Sequence, residues 1–301
     1  MFGVLRSDRV LLPFAAFDGD DWSTPWPAAI GPGRPGAPEE LPLNLAAIPD
    51  DWWGGEEPGG WRLWPRDAGA GVMFKLVAPV VMRIGTERRL GVRTDYPAQT
   101  KPLVPPYEVP YPKEGLAVAG NVVIGAIPTV SLLAPSAQKL VGRIRPEIEE
   151  AEERAISAIR SETGWSHPLD RPLRRKFFPV IEALYSTALA EAGSAVSYVE
   201  IVKKYPPLPE DKGCGLESFI TGWVHQTAED VRLRTELKAV VTYCDRENAS
   251  YMLPLGFVTL RNRTHWIFQM SGQDHEWYVV AELTPGRARY RAEYYAGGIP
   301  R

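Results

Sequence analysis

Sulfur, histidine and long apolar runs are all scarce in this chain. Of 301 residues, two are cysteine (Cys214 and Cys244) and four are histidine (His167, His225, His265 and His275). Neither cysteine sits in a CxxC pair, and two cysteines with scattered histidines give no zinc-ligand spacing, so no metal site is expected. No apolar stretch reaches the ~20 residues of a membrane span. Thirty-four basic side chains stand against 37 acidic ones, a net charge of −3, with no basic stripe. That argues against a nucleic-acid partner.

Catalytic and cofactor signatures are also missing. Gly69-Ala-Gly71 lacks the third glycine of a dinucleotide fingerprint, and there is no G-x-x-x-x-G-K loop. Ser136-Ala-Gln-Lys139 fits S-x-x-K, but the S-D-N and K-T-G partners are absent, as is a G-x-S-x-G elbow. His275-Glu276 opens like HExxH, yet position 279 is Val and the setting is a strand. No cofactor is expected, and the chain reads more readily as a non-catalytic module than as an enzyme.

What is present is β-structure. Glu236–Cys244, Ala249–Arg261, Thr264–Ser271, Glu276–Leu283 and Ala288–Tyr295 alternate apolar and polar side chains, the period of a half-buried strand. Their short connections allow antiparallel neighbours only. The spacing predicts a five-strand meander whose greasy face carries Trp266, Phe268, Val279 and Ala281, leaving His265 and Gln269 on the polar face. Pro254 cannot donate to a ladder, so an edge position or a bulge near Pro254–Gly256 is expected. Val10–Phe17, Val72–Ile84, Arg88–Thr94 and Leu116–Ile124 extend the β-pattern into the first half.

One amphipathic helix is expected from Pro146 to Gly164, with Ile148, Ala151, Ala155, Ile156 and Ile159 on one stripe. A shorter helical piece precedes it at Ser136–Arg145, and Phe178–Tyr205 reads as a hairpin. The fold class is therefore mainly β, antiparallel, a sandwich or open barrel with long Pro/Gly-rich loops. Three parts are expected: a Pro- and Trp-rich part over 1–135, a helical connection over 136–164 and a C-terminal meander domain over 165–301.

Candidate functional residues follow. Trp52, Trp53, Trp61 and Trp64, four indoles in thirteen residues, offer a flat platform for a sugar ring or a cation. Loop anchoring is the competing role for the same residues. Asp274, His275 and Glu276 form the densest polar cluster and read as an exposed hairpin turn. His225 and Glu229 share a face only if that segment is helical. Asn248 and Asn262 head formal glycosylation sequons but fall where turns want Asn. Pro102–Pro112 favours extended polyproline conformation and reads as a surface loop or a protein-docking segment. Leu12–Phe17 with Trp22 faintly echoes Leu253–Phe257 with Trp266.

Free cysteines are often buried and unpaired; a Cys214–Cys244 disulfide is the alternative and would imply an oxidising compartment. Met1–Phe17 lacks the pattern of a signal peptide. The expected location is thus cytoplasmic by default, exported if the cysteines are bridged. The expected function is a soluble binding or structural module with a glycan or protein partner. A glycan hydrolase using loop carboxylates near the Trp cluster is the alternative.

Overall fold

A computed structural model of the chain describes residues 1–27, 31–32, 39–40, 44–55, 60–65, 70–84, 87–97, 113–189, 193–207, 214–227, 233–244, 246–272 and 275–297. The expected polyproline segment Pro102–Pro112, together with Asp274 and Glu229, lies outside them. The protein is mainly β, 53% strand and 17% helical, and its antiparallel sheets include a curled half-barrel.

Ten strands form the first sheet: β1 (Phe2–Arg6), β2 (Val10–Phe17), β3 (Trp22–Ser23), β4 (Gly31–Pro32), β5 (Glu39–Glu40), β6 (Trp61–Pro65), β7 (Val72–Phe74), β8 (Leu76–Ile84), β9 (Glu87–Thr94) and β10 (Lys113–Ala119). Their order is β5-β8-β9-β2-β1-β10-β6-β7, with β3 on β2 and β4 on β9. Helices α1 (Pro135–Arg143), α2 (Arg145–Thr163) and α3 (Arg171–Arg174) follow. Two four-stranded meanders complete the chain. The first is β11 (Val180–Ala188), β12 (Ala195–Lys204), β13 (Leu216–Gln226) and β14 (Arg234–Tyr243). The second is β15 (Tyr251–Leu260), β16 (Arg263–Ser271), β17 (Glu276–Thr284) and β18 (Arg287–Gly297).

Two compact units result. The first holds Met1–Ile127, Ser250–Glu282 and Arg289–Arg301; the second holds Pro128–Ala249 and Leu283–Ala288. This grouping differs from the three consecutive parts expected from the sequence. Leu253, Leu255, Val258, Ile267 and Val280 share one core with Val4, Leu11, Leu12 and Phe14. The C-terminal meander therefore belongs with the N-terminal strands, because the apolar side chains on the Ile267 and Val280 face are buried against theirs. The expected five-strand ladder also divides. Its first strand, β14, pairs with β13 in register Ile220↔Ala239 and closes the other sheet.

Local expectations held where the physics is local. β15 is an edge strand, and its register slips between Pro254 and Gly256, where the missing N–H interrupts the ladder. A Cβ on Gly256 would lie 2.4 Å from Ile124 Cγ2, so glycine permits the Gly125–Phe257 bridge beside it. In the second unit, α2 buries Ile148, Ala151 and Ile156. Gly164 caps it in the left-handed conformation at φ 75°, which costs glycine no Cβ clash. The helix lies across β14 and β13, and Ile148 and Ala151 share a core with Ile220, Val224 and Leu237. The expected hairpin is β11–β12, running from Val180↔Val202 to Ala188↔Ala195.

Candidate functional site

The tryptophan platform does not form as expected. Trp53, Trp61 and Trp64 are 2%, 1% and 9% exposed. Trp52 is half-buried against the same core. Trp26 packs on Trp53 with ring centroids 5.0 Å apart, Trp53 meets Trp61 edge-on at 6.4 Å, and Trp26 Nε1 donates to the Leu90 carbonyl at 3.0 Å. These indoles anchor a short turn, Asp50–Trp53, to the core. Large aromatic faces bury area that a loop without regular structure cannot bury otherwise.

A second correction concerns the C-terminal meander. Its nominally polar face is buried: β16 is enclosed from His265 to Ser271, and Glu276 is 3% exposed rather than part of an open turn. Ile267, Tyr278 and Val280 on that face lie in the main core of the first unit. Alternation marked two faces correctly but not which faced water, because both are covered. Several of the buried polar groups bond one another. The Tyr278 hydroxyl donates to Glu276, and Gln269 Nε2 reaches Ser271 Oγ at 2.5 Å and Glu276 Oε2 at 3.4 Å. Burial, and then the Glu276 charge, push the Tyr278 phenol well above its ordinary value. His275 stacks on Trp277 at 5.2 Å, with Nε2 3.4 Å from Ser250 Oγ.

At the opposite end of this face, two turns and two strands of the first unit enclose a cleft of about 320 Å³. One wall comes from the β2–β3 turn. There Asp18 Oδ1 accepts the backbone N–H groups of Asp20 and Asp21 at 2.8 and 2.9 Å, presenting Asp20, Asp21 and Trp22. These bonds, that of Asp21 first, hold the Asp18 carboxyl below its ordinary value. The other wall is the two-residue β15–β16 turn, where Arg261 and Asn262 adopt φ 47° and 60°. Both central residues at positive φ is the type I′ hairpin geometry, which Asn tolerates well and Arg less so. Arg261 pairs with Asp20 across the mouth.

The floor is aromatic. Trp22 lies 5.4 Å from the His265 ring and 5.3 Å from Phe17. Elsewhere in the lining, Arg291 Nε donates to Glu282 Oε2 at 2.5 Å, and Arg263 stands 3.8 Å from Glu282 Oε1. Two buried polar atoms of the lining, Trp22 Nε1 and His265 Nδ1, have no hydrogen-bond partner among the described residues. Trp22 is 8% and His265 3% exposed. Burial lowers the His265 pKa below its ordinary value; Glu282 and a bond to the Arg263 backbone oppose this, while Arg291 and Arg263 reinforce it. The imidazole is therefore neutral near pH 7. Sequence reading placed His265 on an outward face and named Trp22 without assigning it to a cleft; the lining residues come from two stretches, 17–22 and 260–291, far apart in the chain.

No protein-family model, curated protein or solved structure matches this chain. The local chemistry must therefore carry any functional reading.

The other sequence candidates settle as follows. His225 is on strand β13 rather than on a helix, and fully buried; Glu229 lies outside the described residues. Asn262 occupies its turn as expected. Cys214 and Cys244 are brought together, with sulfurs 1.98 Å apart and Cα atoms 5.5 Å apart. The second unit buries a charged cluster that sequence reading missed. Lys203 Nζ lies 2.6 Å from Glu152 Oε2, the Tyr205 hydroxyl donates to Glu152 Oε1, and Arg174 Nε stands 3.9 Å away. His167 meets Tyr205 edge-on at 4.8 Å. Burial first, then Glu152, raise the Tyr205 phenol. Lys203, Glu152 and Arg174 are at most 3% exposed; the cluster is an internal staple joining α2, β12 and α3. A larger groove in the same unit, about 580 Å³, is lined by apolar residues such as Leu133, Phe178 and Val180, with Arg145 its one charged liner. It lacks the convergent polar groups of a binding site.

Proposed function

We propose that the protein is a non-catalytic binding module that seats a small polar ligand in the cleft between Asp20–Trp22 and Arg261–His265. One observation carries this reading: Trp22 and His265 both line this cleft, and each holds a buried polar atom, Nε1 and Nδ1, that has no partner among the described residues. Each such group costs about 1–3 kcal/mol when left unsatisfied, and a ligand that bonds both recovers that cost. The carboxylates of the cleft are already engaged. Asp20 pairs with Arg261, Glu282 pairs with Arg291, and Asp21 Oδ1 accepts the Trp22 backbone N–H at 2.9 Å. That arrangement suits recognition better than proton transfer.

The test is a titration of the ¹⁵N-labelled protein with acetate, phosphate, glucuronate, glucose and N-acetylglucosamine. The Trp22 indole resonance, assigned by its loss in Trp22→Phe, is the readout. At least one probe is expected to shift it. Silence toward all of them at about 10 mM, where binding is worth under about 3 kcal/mol, refutes the reading. The glycan-hydrolase alternative was expected at loop carboxylates near the Trp52–Trp64 cluster; with Trp53, Trp61 and Trp64 interior, it moves to the carboxylates of this cleft, Asp20, Asp21 and Glu282. It requires turnover of a chromogenic glycoside that Glu282→Gln abolishes; absence of turnover by the wild type removes it.

A further inference from the structure

Resting on the cleft-binding reading, we propose that the ligand carries one compact oxyanion, a carboxylate or a phosphate, docked on the Arg263 guanidinium and the Trp22 indole N–H. Beside the Arg261–Asp20 pair, the cleft holds two further guanidinium groups, Arg263 and Arg291, and the Glu282 carboxylate. Glu282 Oε2 is taken by Arg291 Nε at 2.5 Å, while Arg263 NH1 stays 3.8 Å from Oε1. That separation exceeds a hydrogen bond, so the Arg263 fork keeps its donors for another acceptor. Its side chain is 57% exposed and open to a solute. A guanidinium fork matches carboxylate and phosphate oxygens bidentately.

Trp22 Nε1 supplies a neutral donor from the floor, and indole N–H can only donate. The donors of this set thus outnumber the acceptors, and an oxyanion is the ligand group that supplies acceptors without donors. The neutral His265 ring meets a hydroxyl or a protonated oxygen of the same ligand. Asp20 and Asp21 stand exposed at the mouth. They repel a polyanion, which limits the ligand to a single anionic group and favours hydroxyl or ammonium donors on its outer part.

The closing experiment compares wild type, Arg263→Gln and Lys139→Gln in the same indole titration. Acetate and glucuronate, or inorganic phosphate, are expected to shift the Trp22 resonance with an affinity that falls as salt is added. Arg263→Gln is expected to weaken that response about tenfold or more, whereas Lys139→Gln, which removes one exposed positive charge on α1 outside the cleft, leaves it within about twofold. A response to acetate and glucuronate alone identifies a carboxylate; a response to phosphate alone identifies a phosphate. If glucose or N-acetylglucosamine binds and Arg263→Gln binds it equally well, the oxyanion inference falls while the cleft-binding reading stands. If no probe moves the resonance, both fall.

Discussion

Replacing Glu152 by Gln tests how strongly the interior of the second unit depends on one carboxylate. Glu152 lies on α2, 3% exposed, with Lys203 Nζ at 2.6 Å, the Tyr205 hydroxyl on its other oxygen and Arg174 Nε at 3.9 Å. Removing one partner of a buried pair costs about 3–5 kcal/mol, because the remaining charge stays buried without compensation. Gln keeps the shape and one acceptor, and Arg174 retains Glu153. The expected loss is therefore at the lower end, about 3 kcal/mol. With a urea slope of about 1–3 kcal/mol per molar, the midpoint falls by roughly 1–3 M. Glu150→Gln on the same helix is the control. Its pair with Arg154 is 3.1 Å long but 68% and 59% exposed, and such pairs contribute about 0.5 kcal/mol or less. Urea unfolding followed by far-ultraviolet circular dichroism measures both. In a second comparison, Glu152→Leu combined with Lys203→Met should recover much of what Glu152→Leu loses alone, since apolar replacement of both partners leaves less buried charge. A Glu152→Gln loss indistinguishable from that of Glu150→Gln would refute the buried-staple reasoning.

Trp53→Ala is expected to destabilise the first unit by about 3–5 kcal/mol, the cost of emptying a large core site, while the folded variant keeps its Trp22 response to ligand; loss of that response with intact stability would restore the platform. Burial lowers the pKa values of His167, His225 and His265 in the folded protein. Unfolded histidine titrates near ~6.5, so below that pH the unfolded chain takes up protons that the folded chain resists. This stability is complete above ~6.5 and is lost as pH falls. The urea-midpoint advantage of wild type over His225→Phe should accordingly shrink between about pH 7.5 and 5.5, and growth of that advantage on acidification would contradict the assignment. Reduction should add two hydrogens to the intact mass, and Cys214→Ser with Cys244→Ser should cost about 2–4 kcal/mol, as for a typical disulfide closing a loop; an unchanged mass on reduction would show free thiols.

Many strand positions were legible to within a few residues because the signal is local, though β1, β6 and β13 were not expected. Alternation from Leu237 to Tyr243 marks β14, Pro254 marks the interruption in β15, and Asn262 marks the turn before β16. The helix was equally readable from its stripe and its glycine stop. The functional residues were not. His265 and Glu276 looked like surface polar residues because alternation reports two faces without saying what covers either. Trp53, Trp61 and Trp64 looked like a binding surface because clustered indoles serve packing and recognition with the same chemistry.

By itself, the sequence determined a mainly antiparallel β-protein, many of its strand and turn positions, its long helix and the bulge at Pro254. Each of these follows from side-chain period, proline's missing N–H or glycine's freedom within a few residues. Tertiary structure decided that the last meander shares a core with the first strands, that the tryptophans are interior, that Cys214 meets Cys244, and that Trp22, Arg263, His265 and Glu282 line one cleft. Those outcomes depend on contacts between segments as much as about 260 residues apart along the chain. No local periodicity encodes them, because they are set by which apolar faces can be buried together.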